Sequence, residues 1–421
     1  MSEDVLDVLI VGGGPAGACA GALLAHGDAA TRLRVAVLEP RRPSAVQSQA
    51  PLDSRVVAIS RASERILAAA GAWDRLSSPR VCAYERMCVW HEGSAPRSAG
   101  ALVFDAAEAG EPNLGYIVES RLLQGALLDA LLEEGGRVTS AELVAVDIGA
   151  DCVQVRTSGG TLSARLVIGA DGAQSAVRAA VGLTAESSDY RETAIVANVA
   201  TEKPHEKTAW QRFMHDGTLA LLPLADGASS IVWSADDAVA TELLSATPAE
   251  FAARLDRASD LVLGPTRLVS DRVSFPLRRL AAHRYVASRC VLIGDAAHVV
   301  HPLAGQGVNL GLIDAAALAQ TLLEAVHEKE DVGAERVLRK YERWRKSEVA
   351  FMATAIDAFD RFLSHGSGPV SRLARRGLGW VNASQELKRF FIGRALGLTG
   401  ELPRAARRPA GAQAARQTIG I

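Results

Sequence analysis

The six residues Gly12-Gly13-Gly14-Pro15-Ala16-Gly17 constrain this chain more than any other stretch. They follow a β-branched apolar run, Val5–Val11, and open an Ala/Leu-rich segment that reads as a helix to about His26. A second apolar run, Leu33–Leu38, ends on Glu39. Strand, tight turn, helix, strand and acid, in that order, is the context a dinucleotide fingerprint requires. Each glycine of GxGxxG has its own task. Gly12 permits the turn, Gly14 lets a pyrophosphate approach the backbone, and Gly17 lets helix and strand pack closely. Glu39 is placed to accept hydrogen bonds from a ribose hydroxyl.

The fingerprint alone leaves FAD and NAD(P) open, and the stretch VLIGDAAHVVHPLAGQGVNL at 291–310 decides for FAD. A buried strand, Cys290–Ile293, runs into Gly294-Asp295, where a carboxylate can hold the hydroxyls of a ribityl chain that NAD lacks. The loop Pro302-Leu303-Ala304-Gly305-Gln306-Gly307 then leads into a helix and presents N–H groups toward the pyrimidine edge of a flavin. Reduction puts negative charge there, so these donors favour the reduced state. A third signal is Asp171-Gly172, after the apolar run Leu162–Ile168 and before Ser175-x-x-Arg178. Its carboxylate can organise the pyrophosphate region. Arg55 and Arg121 are further candidate flavin contacts, and each reads equally well as a surface or ion-pair arginine.

The remaining pattern predicts a discontinuous α/β fold. Residues 1–72, 118–182 and 284–335 read as a Rossmann-like FAD domain, with Leu122–Leu132 and Val308–Val326 as helices. Residues 73–117 and 183–283 read as an inserted substrate domain. There Ala194–Ala200, Leu219–Leu224, Ser229–Ser234 and Arg272–Phe275 are short β-type runs separated by Gly, Pro and Asp, which predicts a mixed or antiparallel sheet. Residues 336–402 read as helical, and 403–421 as a frayed tail. Five cysteines without a CxxC pair point to a reduced, intracellular chain, and no apolar stretch is long enough to span a bilayer. The net charge of -2 argues against a nucleic-acid partner. From Arg361 to Ile421, however, 11 Lys and Arg face two Glu, an excess of +9.

The order GxGxxG, then DG, then GD resembles the single-component aromatic hydroxylases of the p-hydroxybenzoate hydroxylase superfamily. The segment from His298 through His301-Pro302 to Gly305-Gln306-Gly307-Val308-Asn309 is similar to the narrower ubiquinone-biosynthesis hydroxylases (UbiH, UbiF and UbiI). So are Ala194–Val199, Glu202-Lys203-Pro204-His205 and the SIVWS of Ser230–Ser234. The runs VVAISRASERILAAAGAW from Val56 and ALGLTGELP ending at Pro403 look most like the UbiI branch, which hydroxylates ring carbon C5. The resemblance reaches to about Leu402, and its one departure is a longer connection around Gly27–Thr31. It implies an enzyme in which NAD(P)H reduces FAD, O2 adds to give a flavin C4a-hydroperoxide, and one oxygen passes to a polyprenylated phenol. It also implies that Pro302, Gly305, Gln306, Gly307 and Asn309 lie against the cofactor.

Catalysis borne by the flavin explains why no Ser-His-Asp set or metal cluster is visible. A general base would help form the more nucleophilic phenolate, but no residue stands out as that base. His298 and His301 lack the carboxylate or thiolate that would complete a metal site, so no metal is expected, and hydrogen bonding near the flavin is the preferred reading. Tyr190 and His205, in the inserted sheet, are candidate substrate contacts, with core or surface placement as the alternative. Cys290 reads as inert. The basic faces of Phe351–Leu363 and Leu387–Leu398, with Arg404, Arg407 and Arg408, suit either an anionic lipid surface, partner subunits of a ubiquinone-biosynthesis complex, or a solvated helical cap. The expected location is cytoplasmic, at most peripheral to the inner face of the membrane. Two competing functions are a related hydroxylase or epoxidase acting on another aromatic or a polyketide, and a non-catalytic scaffold. The complete flavin motifs argue against the scaffold. A flavin halogenase is disfavoured, because no two tryptophans lie two residues apart.

Overall fold

The computed structural model describes residues 5–26, 32–44, 50–76, 79–301, 305–363, 384, 393, 397 and 399–408. Its first layer is an eight-stranded sheet whose spine runs Val286–Ala287, Cys290–Leu292, Gly160–Gly169, β1 (Leu6–Val11), β2 (Val35–Leu38) and Arg137–Thr139. β1 lies at the centre, parallel to both neighbours, with Val8 opposite Val35 on one side and Leu166 on the other. Helices cover both faces of such a strand, so it must be apolar throughout, and Val8, Leu9 and Ile10 have no exposed surface. The helix α1 (Pro15–Ala25) is buried from Gly17 to Ala25. Its Ala and Gly content follows from this crowding. A Cβ on Gly21 would already lie 3.1–3.4 Å from Val37, Leu131 and Ile10.

The second layer is a nine-stranded sheet, antiparallel except where Thr208–Met214 runs parallel to Arg86–His91. Trp90, Trp210, Trp233 and Phe251 fill the core on one side of it. The expected mixed sheet is present, but its main strand is far longer than the apolar run suggests. It spans Ala185–Thr201, because the polar residues of its first half leave no apolar alternation to read. A third, small sheet joins β3 (Val56–Ser60), Gly115–Glu119 and Cys82–Tyr84.

Two expected boundaries are corrected. Residues 73–117 do not belong wholly to the inserted unit, since Leu76 packs into the same core as β1 and Gly115–Glu119 pairs with β3. Only Arg86–His91 and Leu102–Asp105 within that range join the second sheet. Nor does the chain fray from Pro403. Ala406 is fully buried, the Arg404 N–H donates to Gln320 Oε1, and Arg408 pairs with the buried Glu111. Glu111 also holds Arg61 and Arg65 of α2 (Arg61–Ala69), so one carboxylate fastens the returning chain to the body. Arg404 pairs with Glu324 as well, so these two arginines are already engaged within the protein. The basic segment Leu387–Leu398 falls almost entirely outside the described residues, as do the Gly27–Thr31 connection and residues 409–421.

Among the described residues one helix, Gln306–His327, is long and apolar enough to cross a membrane, and it is a core helix packed against α1. Removing the carboxylate beneath the returning chain takes their acid from Arg65 and Arg408, while Arg61 keeps Glu64. Glu111→Ala should therefore cost about 3 kcal/mol of stability, read as a lower urea midpoint at unchanged slope.

Candidate cofactor site

A cavity of about 820 Å³ opens at the carboxyl ends of β1, β2 and Gly160–Gly169, where ligands of open parallel sheets bind. Gly12, Gly14, Glu39, Asp171, Gly172, Asp295 and Gly307 all line it. The three fingerprint glycines stand in different surroundings. Gly12 has φ +101°, and a Cβ there would fall 2.3 Å from the Ala170 carbonyl oxygen. A Cβ on Gly17 would fall 2.0 Å from the Gly12 oxygen, so this glycine serves packing. At Gly14 and Gly307 a Cβ would meet nothing within 4 Å, because both backbones face the open cavity. A side chain at either would occupy space that a bound group needs.

Glu39 and Asp171 are tied to the backbone around them. The Gly13 N–H donates to Glu39 Oε2 at 2.8 Å, and the Arg41 N–H donates to Oε1 at 3.0 Å. Gln124, unmarked in the sequence, holds the same loop from the other side by donating to the Gly13 oxygen at 2.9 Å. Asp171 accepts from Ser175 Oγ and from the Val177 N–H. Arg178 then donates to the oxygens of Ala173 and Ala296 at 2.7 and 2.8 Å. One guanidinium thus pins the DG loop to the GD loop.

The GD loop rests on a buried polar cluster. Gly294 has φ +57°, and it meets Gly311 and Ala16 so closely that a Cβ would lie 3.1 Å from the Ala16 side chain. Beneath it Asp314, with no exposed surface, accepts from the Gly294 N–H at 3.1 Å, from His298 Nε2 at 2.6 Å and from Arg345 Nε at 2.8 Å. Burial alone would raise the Asp314 carboxyl, but His298 and Arg345 outweigh it and hold it down at about 2. Asp295 itself projects into the cavity and is exposed there. Surrounding protein raises its carboxyl above the usual range, and Asp314 adds to this while His298 draws it back.

Several expected contacts lie elsewhere. The Asn309 amide is spent on β3 and its own helix start. It accepts from the Ser60 N–H and donates to the oxygens of Ala58 and Gly305, acting as a splint rather than lining the cavity. Arg121 pairs with Asp53 at 2.6 Å, and Arg55 follows that aspartate, its N–H donating to Oδ1. Neither lines the cavity. Asp53 is in turn positioned by the buried Arg80–Glu119 pair, whose Glu119 accepts from the Asp53 N–H. Gly305 caps the Gln306–His327 helix with φ +62°, while Pro302 lies outside the described residues. His205 uses both ring nitrogens on backbone, at the Leu224 oxygen and the Lys207 N–H, and burial lowers its pKa. It locks a turn. Tyr190 donates to Asp357 Oδ1 at 2.7 Å and stands edge-on to the His301 ring. No metal-binding group occurs among the described residues. Burial pushes the Cys290 thiol up to about 12.

The open backbones at Gly14 and Gly307, the lining acids Glu39, Asp171 and Asp295, and a volume of about 820 Å³ fit a dinucleotide with a ring system. Such a fold and site define an FAD-binding α/β oxidoreductase. The family model for the FAD binding domain matches residues 5–355. The ubiquinone hydroxylase UbiL of Rhodospirillum rubrum is 37% identical, with 94% of this chain and 90% of that protein covered. The 3-demethoxyubiquinol 3-hydroxylase of Escherichia coli K12 is 36% identical, covering 94% and 100%. The human mitochondrial ubiquinone biosynthesis monooxygenase COQ6 is 32% identical, covering 92% of each. In fold, p-nitrophenol 4-monooxygenase PnpA from Pseudomonas putida DLL-E4 superposes with a TM-score of 0.75 at 20% identity, covering 94% of this chain and 98% of that one. The chain belongs to the ubiquinone-hydroxylase family of FAD-dependent monooxygenases.

Two variants separate packing from cofactor contact. Gly17→Ala should destabilise the protein with or without FAD, whereas Gly14→Ala should leave apoprotein melting unchanged and weaken FAD binding at least tenfold by fluorescence titration. Asp314 sets an acid limit. Its carboxyl stands at about 2 against a usual 3.8, so its stabilisation is complete above about pH 4 and disappears as pH falls through 2. That difference corresponds to about 2–3 kcal/mol. In Asp314→Asn, urea titrations between pH 5 and pH 2 should lose this component of the slope.

Proposed function

We propose that this chain hydroxylates the ring of a polyprenylated phenol in ubiquinone biosynthesis, using O2 and NAD(P)H, with ring carbon C5 as the favoured position. The observation that carries the reading is a cavity lined by Gly12, Gly14, Glu39, Asp171, Asp295 and Gly307 in a chain that matches ubiquinone hydroxylases over nearly the full length of both. The likeness of Val56–Trp73 and Ala395–Pro403 to the C5 branch supports the choice of carbon. When bound, FAD supplies the two-electron chemistry and the activation of O2.

The chain's own residues orient and enclose. Gly12, Gly14 and Gly17 would hold the pyrophosphate at the α1 N-terminus, Glu39 would hold the adenosine ribose, and Asp295 the ribityl hydroxyls. N–H groups at the start of the Gln306–His327 helix would be the donors to the flavin pyrimidine. An apolar cluster of Val89, Leu102, Phe213, Val300, Leu310 and Ile356 lies where the second sheet meets this helix and the Glu335–Leu363 helix. Beside the flavin loop it offers the water-poor surroundings a prenylated ring requires.

Peripheral contact with the cytoplasmic membrane face, or with other biosynthetic subunits, falls to the basic residues of 361–398, since Arg404 and Arg408 are engaged internally. The test is the purified protein with NADPH, 18O2 and a 3-polyprenylphenol. A product heavier by one labelled oxygen, with C5 substitution by NMR, is expected. NADPH consumption that yields only peroxide would send the substrate assignment elsewhere.

A further inference from the structure

A second cavity, of about 380 Å³, lies beside the cofactor cavity and shares no lining residue with it. One strip of chain divides them. Glu39, Pro40 and Arg41 line the first cavity, and the next three residues, Arg42, Pro43 and Ser44, line the second. The Ser120–Glu133 helix joins them from the other side. Its Gln124 donates to the Gly13 oxygen at 2.9 Å, while Leu122, Gly125 and Ala126 face the second cavity. Arg75 and Arg121 complete the lining with Arg42, so three guanidinium groups meet one lining acid, Asp129. The volume is that of an ordinary small-ligand site.

Two of the arginines are open to a stronger anion. Arg42 pairs with Asp129 and Arg75 with Glu133, but these two acids are 50% and 65% exposed. Pairs of that kind contribute little, and a doubly charged phosphate offers each guanidinium a better partner. Arg75 Nε donates to the Gly71 oxygen at 3.2 Å, which steadies its fork. Arg121 is bound to the better-buried Asp53 at 2.6 Å and keeps that partner. Gly125 is an independent sign. It stands within a helix, where glycine costs stability, and a Cβ there would meet nothing within 4 Å. Neither its backbone nor its packing calls for glycine. Arg121 and Asp129 lie four residues to either side on the same helix face, so the missing side chain leaves a bare floor between them.

We propose that this second cavity takes the 2′-phosphate of NADPH, held by Arg42 and Arg75, with Gly125 leaving room for it; this deepens the NAD(P)H reading above and rests on it. NADH carries a neutral hydroxyl at that carbon, so a site built on charge separates the two nucleotides there. The phosphate displaces Asp129 and Glu133 from the two guanidinium groups, and both carboxylates turn to solvent. Pro43, Leu122 and Ala126 offer the adenine an apolar surface beside the phosphate. Glu39 and Arg42 are close neighbours in the chain yet serve different cavities. One short segment thus meets a ribose hydroxyl of FAD on one side and a ribose phosphate of the reductant on the other.

The test follows bleaching of the flavin in the FAD-loaded enzyme without oxygen, with NADPH or NADH as reductant. The wild type should favour NADPH in kcat/KM by at least about tenfold, the worth of a charge-assisted contact. Arg42→Ala and Arg75→Ala should retain FAD and bring that ratio toward one. A purely structural role would slow both nucleotides alike and leave the ratio where it was. Gly125→Leu should melt at or above the wild-type temperature and still raise the KM for NADPH, again by at least about tenfold. By calorimetry, 2′,5′-ADP should bind the wild type more tightly than 5′-ADP and lose that advantage in both arginine variants. Equal use of the two nucleotides by the wild type, or a ratio that neither arginine variant moves, would overturn the cavity assignment alone. Failure of both nucleotides to reduce the flavin would overturn the NAD(P)H reading, and the assignment with it.

Discussion

One buried carboxylate organises the site. Asp314 sits in the middle of a core helix with no water to solvate it, and three donors from three segments meet it: the Gly294 backbone, His298 and Arg345. A buried ion is tolerated only when its remaining lone pairs are filled, so the three donors cannot be moved independently. The backbone donor fixes the turn that presents Asp295. His298 fixes the edge of the second sheet, because His298–Val299 pairs with Leu280 and Ala281. Arg345 brings in the long C-terminal helix. The cofactor loop, the inserted sheet and that helix are therefore held in register through one side chain.

Polar ties as well as apolar clusters join the two sheets. Asn198, on the central strand of the second sheet, donates to the Leu52 oxygen of the segment that carries Asp53 and Arg55. Glu119 and Arg80 hold that segment from the flavin side. Directional bonds of this kind specify geometry more tightly than apolar contact does. That suits a chemistry in which the substrate ring must lie at a set distance from the flavin.

What could be read from the sequence was whatever had a period or a glycine. Leu6–Val11, Pro15–Ala25, Gly160–Gly169 and Gln306–His327 announce themselves as largely apolar stretches beside turn residues. The fingerprint glycines carry their geometric demands in their spacing. The polar machinery does not. Gln124, Arg80 and Arg345 are residue types that usually lie on surfaces, and nothing in their neighbours marks the half-buried Gln124 or the buried Arg80 and Arg345. Asp314 was the exception that could have been found, since a lone acid within the apolar run Leu310–Ala319 needs a partner. Asn309 shows the opposite error. It sits beside the cofactor loop in sequence, yet the helix turns its amide toward β3. The first half of Ala185–Thr201 was missed because its bulge and polar residues erase the alternation that identifies a strand.

The packed stretch around Ala406 has a consequence for how the protein is made. The sheet that cradles FAD is assembled from strands that leave the ribosome far apart in time. β1 is synthesised first, Gly160–Gly169 much later, and Cys290–Leu292 only after the whole inserted sheet. Its supporting cluster needs Arg345, and its last clasp is Arg408. The inserted sheet draws its strands from residues 86 to 299, so nearly all of it can collapse while the nascent flavin domain still lacks its closing pieces. Completion of the cofactor site therefore waits until the chain has been made through Arg345, and its clasp until Arg408.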